Sequence, residues 1–212
     1  ITDNVGATGS ASINITVTGT KFVAPPVESY VSKAPPNDSP TNRWLKNSYG
    51  TLPDWRDGNA AYQSAYFAQL ADQVMASINA HRVARGLAPC QRLVQLDMLI
   101  QAHERDQALR NYVSHTNPEG LDYSGRVMAI NPPGSLDDWG EIIAQGQETP
   151  ATVVAAWLGS PGHLAIINDP VLKYAGVGVY WDSGQVAGDE LYWGVYFAAF
   201  KGGGAPPVGH DW

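Results

Sequence analysis

Two strands decide the fold of this chain: YAGVGVYW at residues 174–181 and LYWGVYFAAF at residues 191–200. Both are rich in the β-branched and aromatic residues that favour strands. The segment between them contains serine and glycine turn formers, so the two strands are predicted to pair as a hairpin. Gly176 and Gly178 interrupt the first strand, which predicts that another element packs closely against that face.

Upstream of the hairpin, apolar residues recur at three- and four-residue steps, which is the period of a helix. Gly86 ends the first such segment as a C-terminal cap, and Thr149 followed by Pro150 begins a later one. The predicted helices are residues 60–85, 96–113, 150–159 and 162–168.

Composition narrows the classes of protein that this chain belongs to. Its 212 residues, 44% hydrophobic and 16% charged, suit one medium domain with a true core plus extensions. A net charge of -7 argues against nucleic acid as the main partner and against electrostatic adhesion to anionic lipid. No apolar run approaches the roughly 18 residues of a membrane span, so none is predicted. Cys90 is the single cysteine and is expected to pack as a small hydrophobe.

The flanking segments differ in composition from the centre. Residues 1–20 contain an alternating strand pattern and resemble the end of an immunoglobulin-like domain of the PKD type; a stray strand pairing with the main domain is the alternative. Residues 21–59 are predicted to be a proline-rich linker, in which Trp44, Tyr49 and Trp55 are expected to pack on the next domain. Residues 202–212 are predicted to be a flexible tail, and the start at Ile1 without a signal-peptide pattern is typical of a fragment or mature form.

Three side chains are candidates for a metal-binding or catalytic site: His115, Glu141 and His163. Imidazole and carboxylate groups bind divalent metals and transfer protons near neutral pH. Glu141 precedes an apolar run, where a carboxylate needs a partner such as a protonated histidine or a metal ion. The alternatives are a helix cap or a loop hydrogen bond for His115 and a solvated surface position for His163. His103, within a predicted helix, is interpreted as a structural or surface residue.

Several short sequence motifs, in their order along the chain, resemble those of the CAP domain of the SCP/PR-1 family over about residues 60–201. They are Asn79-Ala80-His81-Arg82, Ser114-His115, Glu141-Ile142-Ile143-Ala144, Trp157 with Ser160-Pro161-Gly162-His163, Gly176-Val177-Gly178-Val179, and the run from Trp193 to Phe197. The resemblance implies an α+β fold, a three-layer α-β-α sandwich with a central antiparallel sheet. It also implies a secreted or surface-displayed bacterial protein.

The resemblance further implies a shallow cleft that holds two histidines and an acidic residue. Here they are His115, Glu141 and His163, as ligands of a divalent metal, with zinc the first choice. Two departures stand out. Ile142 follows Glu141 where the family usually has an asparagine that shapes the cleft wall, which predicts weaker support for Glu141. Ser160 stands where eukaryotic members have a second cleft glutamate.

The sequence leaves more than one function open. The first is an extracellular binding or interaction module with a metal-capable cleft, a monomer whose ligand is a protein, lipid or glycan of unknown identity. The second is a hydrolase, a peptidase or esterase of cell-surface substrates, with Glu141 as candidate general base toward water. The third is an adhesive or structural tip in which the histidines have no chemical role.

Overall fold

The computed structural model describes residues 65–130, 135–182 and 190–204. Its helices are α1 (Ala65–Ala84), α2 (Val94–Arg110), α3 (Tyr123–Ile130), α4 (Pro150–Gly159) and α5 (Pro161–Ile167). Its strands are β1 (Gln91–Arg92), β2 (Leu136–Gln145), β3 (Tyr174–Asp182) and β4 (Glu190–Phe200), and a 3₁₀ turn follows at Lys201–Gly203.

The four strands form one sheet in the order β1-β3-β4-β2. β3 and β4 pair antiparallel, with Val177 opposite Val195, so the predicted hairpin is confirmed. β2 also pairs antiparallel with β4 and places Glu141 opposite Tyr196. The short strand β1 follows α1 and runs parallel to β3 at the edge of the sheet. The sheet is therefore mixed at that edge and antiparallel elsewhere.

Helices cover both faces of this sheet, which confirms the predicted three-layer α-β-α sandwich. The core on one face joins α1, α4 and α5 to the sheet. Its fully buried residues include Val74, Ile78, Ile142, Val153, Val195 and Phe197. The core on the other face joins α2 and α3 to the sheet through Leu96, Leu99, Ile100, Val127, Ile143 and Tyr196. Each such aliphatic side chain contributes about 1.5–3 kcal/mol on full burial.

Gly176 and Gly178 lie directly under α2, as their presence in a strand predicted. A Cβ atom on Gly176 would lie 2.1 Å from the main-chain nitrogen of Asp97, and one on Gly178 would lie 2.6 Å from that of Gln101. Only glycine allows the helix to approach the strand so closely. The register of α2 on the sheet, and thus the position of its C-terminal end, depends on these two residues.

The helix predictions are confirmed with shifts of a few residues at their ends. α1 ends at Ala84, and Gly86 follows with a φ of 76°, as expected of a glycine that terminates a helix. α2 ends at Arg110, three residues before the predicted Val113, because Asn111 adopts the left-handed conformation with a φ of 54°. Thr149 caps α4 as predicted, since its hydroxyl accepts from the amide of Thr152.

α3 and β2 were not predicted from the sequence. The predictions for residues 1–20 and 21–59 lie outside the described residues, as does most of the predicted tail at 202–212. The boundaries of the 60–201 domain therefore stay a prediction. Cys90 is buried against the core, as expected. Among helices of the described ranges, none alone is long and apolar enough to cross a membrane; α4 and α5, bent by 104° at their junction, pass that test only when joined.

Candidate functional site

Glu141 lies at the centre of the candidate site, on the edge strand β2. Its neighbours Gly140 and Ile142 face the α1 side of the sheet, so strand alternation points Glu141 toward α2 and α3. The side chain is fully buried. Its Oε1 atom accepts a hydrogen bond from Nδ1 of His115 at 2.9 Å, and Oε2 accepts one from Nη2 of Arg126 at 2.6 Å. The sequence analysis expected a partner for this carboxylate, and the structure supplies two.

Neighbouring basic groups hold the carboxylate of Glu141 in its charged form. Burial by itself would raise the pKa of Glu141, but the guanidinium of Arg126 and the imidazoles of His103 and His115 outweigh it and bring the pKa to about 2. An ionised carboxylate only accepts hydrogen bonds. The Nδ1 atom of His115 is therefore the protonated donor, and this tautomer leaves its Nε2 atom with a lone pair when the ring is neutral.

His115 is the accessible member of this group. It lies in the loop between α2 and α3, its side chain is 22% exposed, and its ring meets the ring of Tyr123 edge-on at a centroid distance of 5.9 Å. The alternative in which His115 merely makes a loop hydrogen bond does not describe this geometry. The ring is fixed on one side by a buried carboxylate and is open to solvent on part of its surface.

Arg126 is a site residue that the sequence analysis missed. It lies on α3, is fully buried, and bonds Glu141 through Nη2. Its Nη1 atom also donates to the main-chain carbonyls of His115 at 3.0 Å and Leu121 at 3.1 Å. A signal for α3 was present: Asp122 caps the first turn, accepting from the amide of Gly125 at 2.7 Å. That cap would have predicted the helix, although not the direction of the arginine.

His103 on α2 also belongs to this cluster and is fully buried. Of the two roles considered for it, the surface position is therefore wrong and the structural role is supported. Its Nε2 atom donates to the carbonyl of Ser114 at 2.9 Å and lies 4.0 Å from Oε1 of Glu141. Burial, supported by the nearby Arg126, lowers the pKa of His103 to about 3 despite the opposing effect of Glu141. His103 is therefore neutral at pH 7 and ties the end of α2 to the segment that precedes His115.

A second buried carboxylate, Glu104, lies next to this cluster. It lies over Gly194 of β4 and accepts a hydrogen bond from Nε2 of Gln107 at 3.0 Å. Burial and the charge of Glu141 both raise its pKa well above the ordinary value. Both effects oppose a second negative charge beside Glu141, and it is Glu141 that balances the charge of Arg126.

His163, the third predicted site residue, lies on α5 and is buried. Ile166 of the same helix packs against the Cα of Gly140, the residue before Glu141, and Ile167 belongs to the core under α1. The surface position considered for His163 is wrong. The structure joins His115 to Glu141 by a hydrogen bond, and the participation of His163 in the same site stays a prediction.

The predicted three-ligand metal set does not fit Glu141 as the structure places it. Both carboxylate oxygens accept hydrogen bonds, and Arg126 repels a second cation at Oε2. Within residues 65–130, 135–182 and 190–204, no three histidine, cysteine, aspartate or glutamate side chains form a group that could hold a metal ion. The Nε2 atom of His115 does fit, because a carboxylate on Nδ1 is the usual outer partner of a metal-binding histidine.

The fold, together with the sequence motifs that contain the site residues, identifies the class of the protein. Residues 75–197, more than half of the chain, match the model of the family described as CAP, cysteine-rich secretory protein family. The chain belongs to this family, which confirms the resemblance inferred from its sequence. The resemblance of residues 1–20 to a PKD-type domain stays a prediction.

Comparison with particular proteins agrees with this assignment. Over 115 residues the chain is 36% identical to the uncharacterized protein YkwD of Bacillus subtilis, a match that covers 54% of this chain and 43% of that protein. The chain thus spans less than half the length of this relative.

Two solved structures share the fold at low sequence identity. An outer surface protein from Borrelia burgdorferi is similar with a TM-score of 0.57 at 19% identity, over 63% of this chain and 94% of that one. An extracellular protein containing a SCP domain, from Bacillus anthracis, is similar with a TM-score of 0.56 at 21% identity, over 71% of this chain and 45% of that one. At these identities the likeness concerns the fold.

Proposed function

We propose that this chain is an extracellular binding module of a bacterial secreted or surface protein, and that His115 is the residue through which its cleft binds a ligand. The observation that supports this most directly concerns the ring of His115. It donates a hydrogen bond of 2.9 Å to the buried Glu141, and the side chain is still 22% exposed to solvent. The extracellular setting is supported by the secretory family and by relatives described as outer surface and extracellular proteins.

The ligand that this geometry suits best is a divalent metal ion, with zinc the first choice. A neutral imidazole offers one lone pair at Nε2, and a carboxylate that accepts from Nδ1–H fixes the tautomer and the orientation of the ring. In this proposal Glu141 is an orienting residue and not a ligand, which revises the predicted set of His115, Glu141 and His163. His163 is the candidate second imidazole, carried by α5 next to β2.

Isothermal titration of the whole chain with Zn²⁺ tests the proposal. We expect binding by the wild type, no binding by His115→Ala, and affinity reduced by about 10- to 100-fold in Glu141→Gln, as for other outer-shell partners of metal-binding histidines. His81→Ala is the matched control, because His81 bonds Asn168 at 2.9 Å and makes no bond to Glu141. Equal binding by wild type and His115→Ala would refute the proposal, and the response of His163→Ala decides whether the second imidazole takes part.

A hydrolase is the second candidate, and the structure changes which residue would act as its base. With a pKa of about 2 and both oxygens bonded, buried Glu141 is a poor base for water. His115 is the better candidate, since a buried carboxylate orienting an exposed imidazole is the acid–base half of a hydrolytic triad. Hydrolysis of peptide or ester substrates that disappears in His115→Ala, with the His81→Ala control active, would support this function.

A further inference from the structure

We infer that Arg126 is the positioning residue of the His115 site, because one guanidinium fixes both the main chain that carries His115 and the carboxylate that orients its ring. This inference rests on the proposed role of His115. It assigns to Arg126 a task beyond balancing the charge of Glu141, namely to keep the imidazole in one place and in one tautomer.

The segment from His115 to Asp122 is a closed loop with its own internal bonds. Thr116 and Asp122 form an isolated bridge at its neck. Within the loop, the amide of Asn117 donates to the carbonyl of Leu121 at 3.0 Å, and the amide of Leu121 donates to Oδ1 of Asn117 at 2.8 Å. Such bonds give the loop a shape, but they do not attach it to the sheet.

Arg126 attaches both ends of the loop, in addition to the hydrogen bond that His115 itself makes to Glu141 on β2. Nη1 donates to the carbonyls of His115 and Leu121, which lie at the two ends of the loop, at 3.0 and 3.1 Å. Nη2 of the same guanidinium donates to Oε2 of Glu141 on β2 at 2.6 Å. The planar group therefore holds the loop and the orienting carboxylate in one rigid arrangement, since its donors have fixed directions.

Charge and burial explain why an arginine suits this position. The side chains of Arg126 and Glu141 are both fully buried, and a buried charge is costly unless an opposite charge pairs with it. A lysine at 126 would keep the positive charge, but a single ammonium on a shorter stem does not reach two carbonyls and a carboxylate together. Arg126→Lys thus separates positioning from charge balance.

The first measurement uses the wild-type chain without metal. We expect the side-chain Nη signals of Arg126 in ¹⁵N NMR spectra to be resolved and in slow exchange with water, with couplings across the hydrogen bonds to the carbonyls of His115 and Leu121. We also expect ¹⁵N shifts that report the Nδ1–H tautomer of His115. Averaged, rapidly exchanging Nη signals in the wild type would overturn the inference, whether or not any variant folds.

The second measurement compares Arg126→Lys with Arg92→Lys. Arg92 is the matched control, because its guanidinium also bonds a carboxylate, that of Asp97 at 2.8 Å, but far from the loop. In Arg126→Lys we expect the amides of Asn117 and Leu121 to exchange faster by about tenfold or more, the effect of losing roughly 1.4 kcal/mol of local stability, and His115 to lose its single tautomer. In Arg92→Lys neither changes. A general loss of stability would speed exchange throughout the chain but would not move the tautomer. Unchanged tautomer and loop exchange in Arg126→Lys would overturn the inference.

Failure of this inference is distinguishable from failure of the proposed function. The NMR measurements need no ligand, so Arg126 can be shown to position His115 even if Zn²⁺ does not bind the wild type. If Zn²⁺ does bind, Arg126→Lys is expected to weaken it by about 10-fold or more, as loss of an outer-shell partner does. Wild-type affinity in Arg126→Lys would contradict the positioning role while leaving His115 as the binding residue.

Discussion

Replacing Glu141 by glutamine is the substitution that probes the site most directly. In Glu141→Gln the new side chain would present one carbonyl oxygen to two donors, Nδ1–H of His115 and Nη2–H of Arg126, which now bond two separate oxygens at 2.9 and 2.6 Å. If the amide oxygen faces Arg126, its NH₂ group faces His115 and forces Nδ1 to become an acceptor. The proton of the neutral ring then moves to Nε2, and a ligand binds that atom more weakly because the ring must first return to the other tautomer.

The expected cost in stability follows from the burial of the pair. Both side chains are fully buried, and removing one charge from such a pair typically costs roughly 3–5 kcal/mol, because the other remains uncompensated. Although burial raises the pKa of Glu141, Arg126 and the two imidazoles lower it to about 2, so the charged form is the one that the folded protein stabilises. We therefore expect Glu141→Gln to lose about 3 kcal/mol or more of stability.

Urea denaturation at pH 7, with ¹⁵N NMR of the histidines, measures both effects. Glu119→Gln is the matched control, since Glu119 also bonds an arginine, Arg110, but at the surface, where such pairs contribute within about 1 kcal/mol. The double variant Glu141→Gln/Arg126→Met should lose less stability than the two single variants together. A loss below about 1 kcal/mol in Glu141→Gln, with the tautomer of His115 unchanged, would refute this account of the site.

The remaining predictions concern the sheet under α2 and the response to acid. Gly176→Ala should cost about 3 kcal/mol or more by urea denaturation, because its Cβ would lie 2.1 Å from main-chain atoms of α2 that cannot rotate away, whereas Gly159→Ala, with nothing within 4 Å, should be close to neutral. Equal stability of these two variants would contradict the close packing. Acid should destabilise the protein through two groups. The contribution of His103 to the free energy of unfolding is full above pH 6.5 and is lost as the pH falls toward its folded pKa of about 3. The contribution of Glu141 is full above pH 4.5 and is lost as the pH falls toward 2. Burial raises the pKa of Asp97 to about 6, so Asp97 acts in the opposite sense and adds stability as the pH falls from 6 to 3.8. The free energy of unfolding, measured in urea, should fall less steeply between pH 6.5 and 4.5 in His103→Gln than in the wild type, because the variant lacks the titrating imidazole.

Much of the fold could be predicted because its strongest signals are local. The hairpin is encoded by β-branched and aromatic runs, and α4 by Thr149 and Pro150, whose cap needs no distant residue. The ends of helices were less certain, since Asn111 ends α2 by adopting a left-handed conformation that few residues take. β2 and α3 were missed for different reasons. β2 pairs with β4, which lies well beyond it in sequence, and α3 is only 8 residues long.

Two members of the site, His115 and Glu141, could be selected from the sequence, and Arg126 could not. Residue types and the family resemblance selected His115 and Glu141, and the structure brings them within hydrogen-bond distance. Nothing local indicated that Arg126 would bond the second oxygen of Glu141, because that bond depends on how α3 lies against β2. The consequence is large. A carboxylate with a free oxygen is a metal ligand or a base, whereas one held by an arginine orients its neighbour.

The position after Glu141 shows how strand geometry redirects an inference drawn from the sequence. Ile142, where the family usually has an asparagine, was expected to weaken the support of Glu141. Successive residues of a strand face opposite sides of a sheet, and Ile142 lies fully buried in the core under α1, on the side away from Glu141. Its apolar side chain adds to that core, while the carboxylate takes its support from Arg126 and His115 on the other face. The support of the site therefore depends on α3, and a substitution at Ile142 should change stability before it changes the state of His115.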